Sequence, residues 1–327
     1  MLPPYYLDIE ADNTGDTIHE LHIYRGHQPS DTGFIMGHEF TGTIVQAGSA
    51  VKSVQVGDKV VAPFTASCGV CFYCLHGCTA RCVETQLFGC EALDGGQAEY
   101  VRVPLADGTV VKAPDTISDQ ALLLMADIFP TGYFGVKSAI TMCPSQDISE
   151  STLVVVGCGP VGLCAILAAA HQKPRHLFAI DSVDSRLELA KSLGAEPLNF
   201  QTNREGMEAR IKEVTEGRGA DMVVEVVGQA SALKTAFDLV RPFGAISSIG
   251  VHNTEIPWSG DDMYTKNLRL QMGRCPVRSV FHEALELFEE KQHLVGFMFD
   301  QIMPLSSAPE GYALFEQRKT QKVVFKL

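Results

Sequence analysis

Four cysteines offer the most definite chemistry in the chain. In SCGVCFYCLHGCTARC, Cys68, Cys71, Cys74 and Cys82 follow the spacing C-x2-C-x2-C-x7-C. Repeated C-x-x-C brings sulfurs close enough to share an ion, and four thiolates suit a closed, tetrahedral zinc site of structural type. Free or redox-active thiols are the competing reading. Cys78 lies inside the segment but off the pattern, as a spectator. A second group is less self-evident. His38 and Glu39 stand in Gly37-His38-Glu39, just before a valine-rich run, and Asp127 stands far away in LLLMADIFPTGYFG. Imidazole and carboxylate are the groups that bind metals or move protons, yet a His next to a Glu is more often an ordinary surface or hydrogen-bonded pair than a ligand, and an isolated Asp means less.

The third constellation is TLVVVGCGPVGLCAILAAAHQKPRHLFAID, from Thr152 to Asp181. Strand-forming residues run into Gly157, Gly159 and Gly162, which match G-x-G-x-x-G, and a helix of small side chains follows through Pro160 and Val161. The first glycine permits a tight turn, the second lets backbone approach a pyrophosphate, and the third lets helix and strand pack closely. Asp181 falls 24 residues after Gly157 at the end of an apolar run, near the spacing of about 20 expected of a carboxylate that bonds a ribose 2′-hydroxyl. A membrane-spanning reading of Leu153–Ala170 fails, because three glycines and Pro160 interrupt a helix that would need about 20 apolar residues.

Two kinds of element must position these groups. Residues 1–128 carry short, glycine-punctuated, valine-rich runs (Gly42–Ala47, Gly57–Val61, Gln97–Val103, Thr109–Lys112), the pattern of a predominantly β module. From residue 129 to 275, strand-like runs at Thr152–Val156, Leu177–Asp181, Asp221–Val226, Ala245–Gly250 and Leu268–Met272 alternate with helical segments. That alternation predicts a doubly wound parallel sheet, so the fold class is α/β with two domains. One helix is predicted between Asp184 as cap and Gly194 as stop. After Pro276 come an amphipathic stretch, Ser279–Lys291, and a terminal strand, KVVFKL, expected to return to the first module over 276–327.

The net charge of −13, from 26 basic and 39 acidic residues, disfavours nucleic acid and anionic membranes and leaves small molecules as partners. The acidic amino terminus shows no secretory pattern, and ten cysteines without a disulfide framework fit a reducing, cytoplasmic setting.

Together, GHEFTG with the following VGDKV, the four-cysteine segment, GGQAEYVRVP, MADIFPTGY, GCGPVG and Asp181 resemble the zinc-dependent alcohol dehydrogenases of the medium-chain dehydrogenase/reductase family. The resemblance covers roughly residues 21–327, and the DIFPTGY-like stretch is similar to the formaldehyde and small-alcohol dehydrogenases. It implies a GroES-like β domain and a Rossmann domain with the active site in the cleft between them. It also implies hydride transfer between an alcohol or aldehyde and NAD(H), and a homodimer or homotetramer. By the same resemblance His38 and Asp127 are catalytic zinc ligands, and Glu39 is a supporting or alternate ligand. Val227, Gly250 and Val251 line the nicotinamide, and Arg186 approaches the adenosine end. Asp181 favours NAD over NADP.

One departure stands out. The family's C-G-[ST]-D-L-H run, whose cysteine is the first zinc ligand, corresponds here to Thr17-Ile18-His19-Glu20-Leu21-His22. Thr17 lacks the thiolate, His19 replaces a proton-relay hydroxyl, and His22 closes the run and joins His38, Glu39 and Asp127 in the candidate catalytic set. The preceding residues are unlike the family's opening strands. The expectation is therefore a shortened first domain with weakened or lost catalytic zinc. His19, Glu20, His22 or Glu39 are candidate substitute ligands, and a dinucleotide-binding relative without dehydrogenase activity is the alternative.

Overall fold

A computed structural model describes residues 2–15, 20, 21, 23, 31–144 and 147–327. The chain divides into two compact units, Met1–Pro130 with Pro276–Leu327, and Thr131–Cys275. Among the described residues no helix is long and apolar enough to cross a membrane.

The first unit is built on β1 (Leu7–Gly15), β2 (Phe40–Ala47), β3 (Lys59–Ala62), the short pair β4 (Thr65–Ala66) and β5 (Gln86–Leu87), β6 (Tyr100–Val103) and β7 (Val111–Lys112). The terminal part of the chain adds β14 (Gln301–Pro304) and β15 (Val323–Lys326), and the main sheet runs β14-β15-β1-β2-β3-β7, with β6 also on β1. Strand β1 corrects the expectation that the opening stretch lacks the family's strands. Leu7, Ile9 and Ala11 are buried while Asp8 and Glu10 face outward. This period of two specifies a strand despite the acidic composition. Leu7, Ile9, Phe40, Ile44, Val60 and Phe88 share one core, and each such side chain contributes about 1.5–3 kcal/mol on burial. Helix Val277–Lys291 buries Val277, Val280, Phe281, Ala284, Leu287 and Phe288, an i, i+3, i+4, i+7 face. Its Phe288 ring meets Phe129 at 4.6 Å.

The second unit holds β8 (Thr152–Val156), β9 (His176–Asp181), β10 (Glu196–Asn199), β11 (Ala220–Glu225), β12 (Val240–Ser248) and β13 (Arg269–Met272). They form a sheet in the order β10-β9-β8-β11-β12-β13 with every pairing parallel. The order reverses between β8 and β11, and the crevice at such a switch point, beyond the carboxyl ends of the strands, is where open α/β sheets bind ligands. Helix Asp184–Ser192 starts differently from the sequence expectation. Val183 is its N-cap and Asp184 lies inside its first turn, where the carboxylate still favours the helix dipole. Gly194, at φ +100°, ends it as expected.

Candidate metal and dinucleotide sites

The cysteine segment folds as a short turn of helix, Phe72–Leu75, and a 3-10 turn, Thr79–Arg81, tied to helix Val277–Lys291 by the Thr79 and Ser279 hydroxyls at 2.9 Å. The sulfurs of Cys68, Cys71, Cys74 and Cys82 all lie within 4.8 Å of one another. Cys71 and Cys74 are 3.5 Å apart and Cys68 and Cys74 4.0 Å, which brackets the roughly 3.8 Å edge of a tetrahedron with Zn–S near 2.3 Å. The donor set therefore fits zinc. Backbone N–H groups of Val83 and Cys74 hold the Cys71 thiol down at about 6, whereas burial pushes Cys74 up to about 12. The Cys71 thiolate is already stabilised, while burial holds the Cys74 and Cys82 thiols up, so a shared cation would be needed to ionise those two. Cys78 points away, its sulfur 3.5 Å from the His76 carbonyl.

His38 and Glu39 sit at the start of β2 on a turn that needs Gly37 at φ +96°, and both are buried. Asp127 lies just before helix Ile128–Thr141, and its Oδ2 is 3.3 Å from His38 Nε2. Two ligands about 2.05 Å from a tetrahedral zinc stand about 3.3 Å apart, so this pair fits a shared ion. The other imidazole nitrogen is held by a residue whose part sequence reasoning misread. Glu20, offered above as a substitute ligand, places Oε1 2.6 Å from His38 Nδ1 and accepts the His38 backbone N–H at 3.0 Å. A carboxylate on the far nitrogen fixes ring orientation and raises the basicity of the near one. Burial alone would lower the His38 pKa, but the Glu20 and Asp127 carboxylates outweigh it and raise it to about 10.

Glu39 is differently engaged. Its Oε2 pairs with the Lys322 ammonium, both groups being fully buried. Burial raises the Glu39 carboxyl to about 7 although Lys322 pulls it down. Among the described residues the four cysteines alone form a cluster of three or more ligating groups within 4.8 Å, so Glu39 does not join His38 and Asp127 in such a cluster. Thr17, His19 and His22 lie outside the described residues.

The glycine loop is shaped by contact. Gly157 has φ +100°, and a Cβ on Gly162 would fall 1.9 Å from the Gly157 carbonyl oxygen, so no side chain fits there. Helix Pro160–His171 starts with Gly159 as N-cap and no side-chain cap, leaving first-turn amides, Val161 among them, for an anion. Asp181 Oδ2 accepts the Cys158 N–H at 2.7 Å, and Oδ1 accepts those of Ser182 and Val183 at 2.7 and 2.9 Å. Burial and the Asp181 carboxylate push the Cys158 thiol up, while Arg186 is near enough to pull it down. Val227 and Gly250-Val251 follow β11 and β12, the two valines exposed.

Residues 7–115 match the family model described as alcohol dehydrogenase GroES-like domain, and residues 160–290 the model described as zinc-binding dehydrogenase. The chain is 61% identical over 307 residues to zinc-type alcohol dehydrogenase B of Aspergillus flavus, covering 94% of this chain and 72% of that protein. It is 30% identical over 351 residues to formaldehyde dismutase of Pseudomonas putida, covering 93% and 86%. Among solved structures, alcohol dehydrogenase TADH from Thermus sp. ATN1 superposes with a TM-score of 0.91 at 31% identity, covering 100% of this chain and 93% of that one.

Proposed function

The chain belongs to the zinc-binding, GroES-like alcohol dehydrogenases of the medium-chain family, and from that membership we propose that it transfers a hydride between an alcohol or aldehyde and NAD(H). One observation carries the reading. His38 Nε2 and Asp127 Oδ2 stand 3.3 Å apart while Glu20 backs the opposite nitrogen at 2.6 Å. His38 and Asp127 would hold the catalytic zinc, and the four cysteines a structural one. When bound, zinc supplies Lewis acidity to the substrate oxygen and NAD supplies the hydride acceptor.

The residues of the chain do the rest. Glu20 keeps the His38 ring turned so that Nε2 faces Asp127. The buried Glu39–Lys322 pair anchors the backbone beside His38, since Lys322 leads into β15 and Glu39 into β2. The bare amino end of helix Pro160–His171 takes the pyrophosphate. Asp181 has used three of about four acceptor positions on its carboxylate, and the remaining one receives a ribose hydroxyl. Substrates are small alcohols or aldehydes, in line with the formaldehyde dismutase relative. The protein works in the cytoplasm as a homodimer or homotetramer, for which the exposed edge strand β13 offers unpaired backbone groups.

The test is a panel of primary and secondary alcohols with NAD, read as NADH formation, with zinc counted per chain. Turnover that is lost in His38→Ala supports the proposal. NADH binding without turnover of any alcohol, at full zinc content, would instead identify a dinucleotide-binding relative without dehydrogenase activity.

A further inference from the structure

Glu225 is the last residue of β11 and completely buried, and neither the zinc ligands nor the glycine loop employs it. Its carboxylate collects four contacts. Oε1 accepts the backbone N–H groups of Val227 and Gly228, both at 2.7 Å. Oε2 accepts the Ser248 hydroxyl at 2.7 Å and lies 2.9 Å from His252 Nε2. Ser248 Oγ and His252 Nε2 are themselves 2.9 Å apart. With Ser248 donating to the carboxylate, the consistent assignment is an Nε2–H on His252 that Glu225 and Ser248 share.

Ser248 ends β12, and His252 follows in the loop after it. One carboxylate thus ties the loop after β11 to the loop after β12. The two backbones are also pressed together, since a Cβ on Gly250 would meet Gly228 N at 2.2 Å and one on Gly228 would meet Val251 O at 2.5 Å. With their inner sides locked in this way, the loops leave Val227 (44% exposed) and Val251 (72% exposed) facing outward. A Cβ on Gly157 would touch Val227 Cγ2 at 2.6 Å, so the clamp abuts the glycine loop at the switch point.

In a doubly wound dinucleotide fold, one half of the sheet takes each mononucleotide. Strands β8 to β10 carry the glycine loop and Asp181, which serve the adenosine half. Strands β11 to β13 are left for the nicotinamide half, and the clamp lies at the carboxyl ends of the first two. We propose that Glu225, Ser248 and His252 are positioning residues for the nicotinamide half of the cofactor. They set the backbone and the valines of 227 and 251 as a rigid shelf for a neutral, amide-bearing aromatic ring. This rests on the dinucleotide reading above.

ADP-ribose and NADH separate the two halves, because ADP-ribose lacks the nicotinamide. In this chain His252→Ala removes one hydrogen bond to a carboxylate, worth roughly a tenfold change in the equilibrium between the ordered and the released shelf, of which NADH requires the ordered one. NADH binding is expected to weaken about tenfold while ADP-ribose binding stays within about twofold. In His252→Gln the amide Nε2 can donate at the same place, so most of the NADH affinity returns. If His252→Ala does not fold, Ser248→Ala provides the same comparison. Equal weakening of both ligands shows a structural role only and overturns the proposal, as does unchanged NADH binding. A wild-type chain that binds neither ligand overturns instead the dinucleotide reading.

Discussion

Replacing Asp181 by asparagine isolates the charge that selects between the two nicotinamide cofactors. In the structure the carboxylate is buried and accepts three backbone N–H groups, from Cys158, Ser182 and Val183. A 2′-phosphate about 5 Å away, at an effective dielectric of about 20–80, would be repelled by about 1–3 kcal/mol per pair of charges. With about 1.5–2 charges on the phosphate, a total near 3 kcal/mol is a reasonable middle value, and it corresponds to a preference of about a hundredfold for NADH over NADPH. Asparagine removes that repulsion. Its oxygen can keep the bonds from Ser182 and Val183, but its NH₂ then faces the Cys158 N–H, and an unsatisfied buried donor costs about 1–3 kcal/mol. Asp181→Asn is therefore expected to lower thermal stability modestly, weaken NADH about tenfold, and narrow the cofactor preference to less than about tenfold. Fluorescence titration with NADH and NADPH, alongside thermal unfolding, reads all three. A wild-type protein that binds NADPH as tightly as NADH, or a variant whose preference is unchanged, would refute the reasoning.

Four further outcomes follow from the same structure. Cys82→Ser removes one of four converging sulfurs; since structural zinc contributes on the order of 10 kcal/mol to small domains, the variant should lose zinc to a chromogenic chelator and melt about 10 °C lower by calorimetry. Glu20→Gln should weaken zinc at His38 and Asp127 by about 10–100-fold and leave the cysteine-bound zinc in place, as zinc titration would reveal. In metal-free protein the raised His38 pKa, about 10 against 6.5, contributes stability that is complete below pH 6.5 and lost as pH rises through about 10. Zinc must displace that proton, so affinity at this site should rise about tenfold per pH unit across the interval, and a flat profile would contradict it. Finally, Gly162→Ala forces a Cβ to 1.9 Å from the Gly157 carbonyl; overpacking of about 3 kcal/mol and loss of NADH binding are expected, checked by urea unfolding and titration.

Much of this was legible in the residues because the deciding distances are short along the chain. The cysteine cluster and the glycine loop are each set by local spacing, and the parallel sheet by alternating strand and helix patterns. Other features depend on distant parts of the chain meeting. Glu20 reaches His38 across 18 residues, and no local pattern distinguishes a carboxylate that binds a metal from one that backs its ligand. The clamp exists because β11 and β12 lie side by side, which brings Glu225 to Ser248 and His252; only the sheet order makes it visible. Lys322, the partner of Glu39 across 283 residues, was missed because a lone lysine near a terminal strand reads as a solvated charge. Strand β1 was missed for a different reason. Its acidic residues mask an alternation of Leu7, Ile9 and Ala11 that was present in the sequence all along.

The most direct test of the central claim follows the hydrogen itself. Primary alcohols carrying deuterium on the hydroxyl-bearing carbon are incubated with NAD and the zinc-loaded protein, and the NADH is examined by mass spectrometry. Deuterium transferred to the nicotinamide from at least one alcohol, and abolished in Asp127→Ala, is the predicted result. NADH binding with no deuterium transfer from any alcohol would contradict the account.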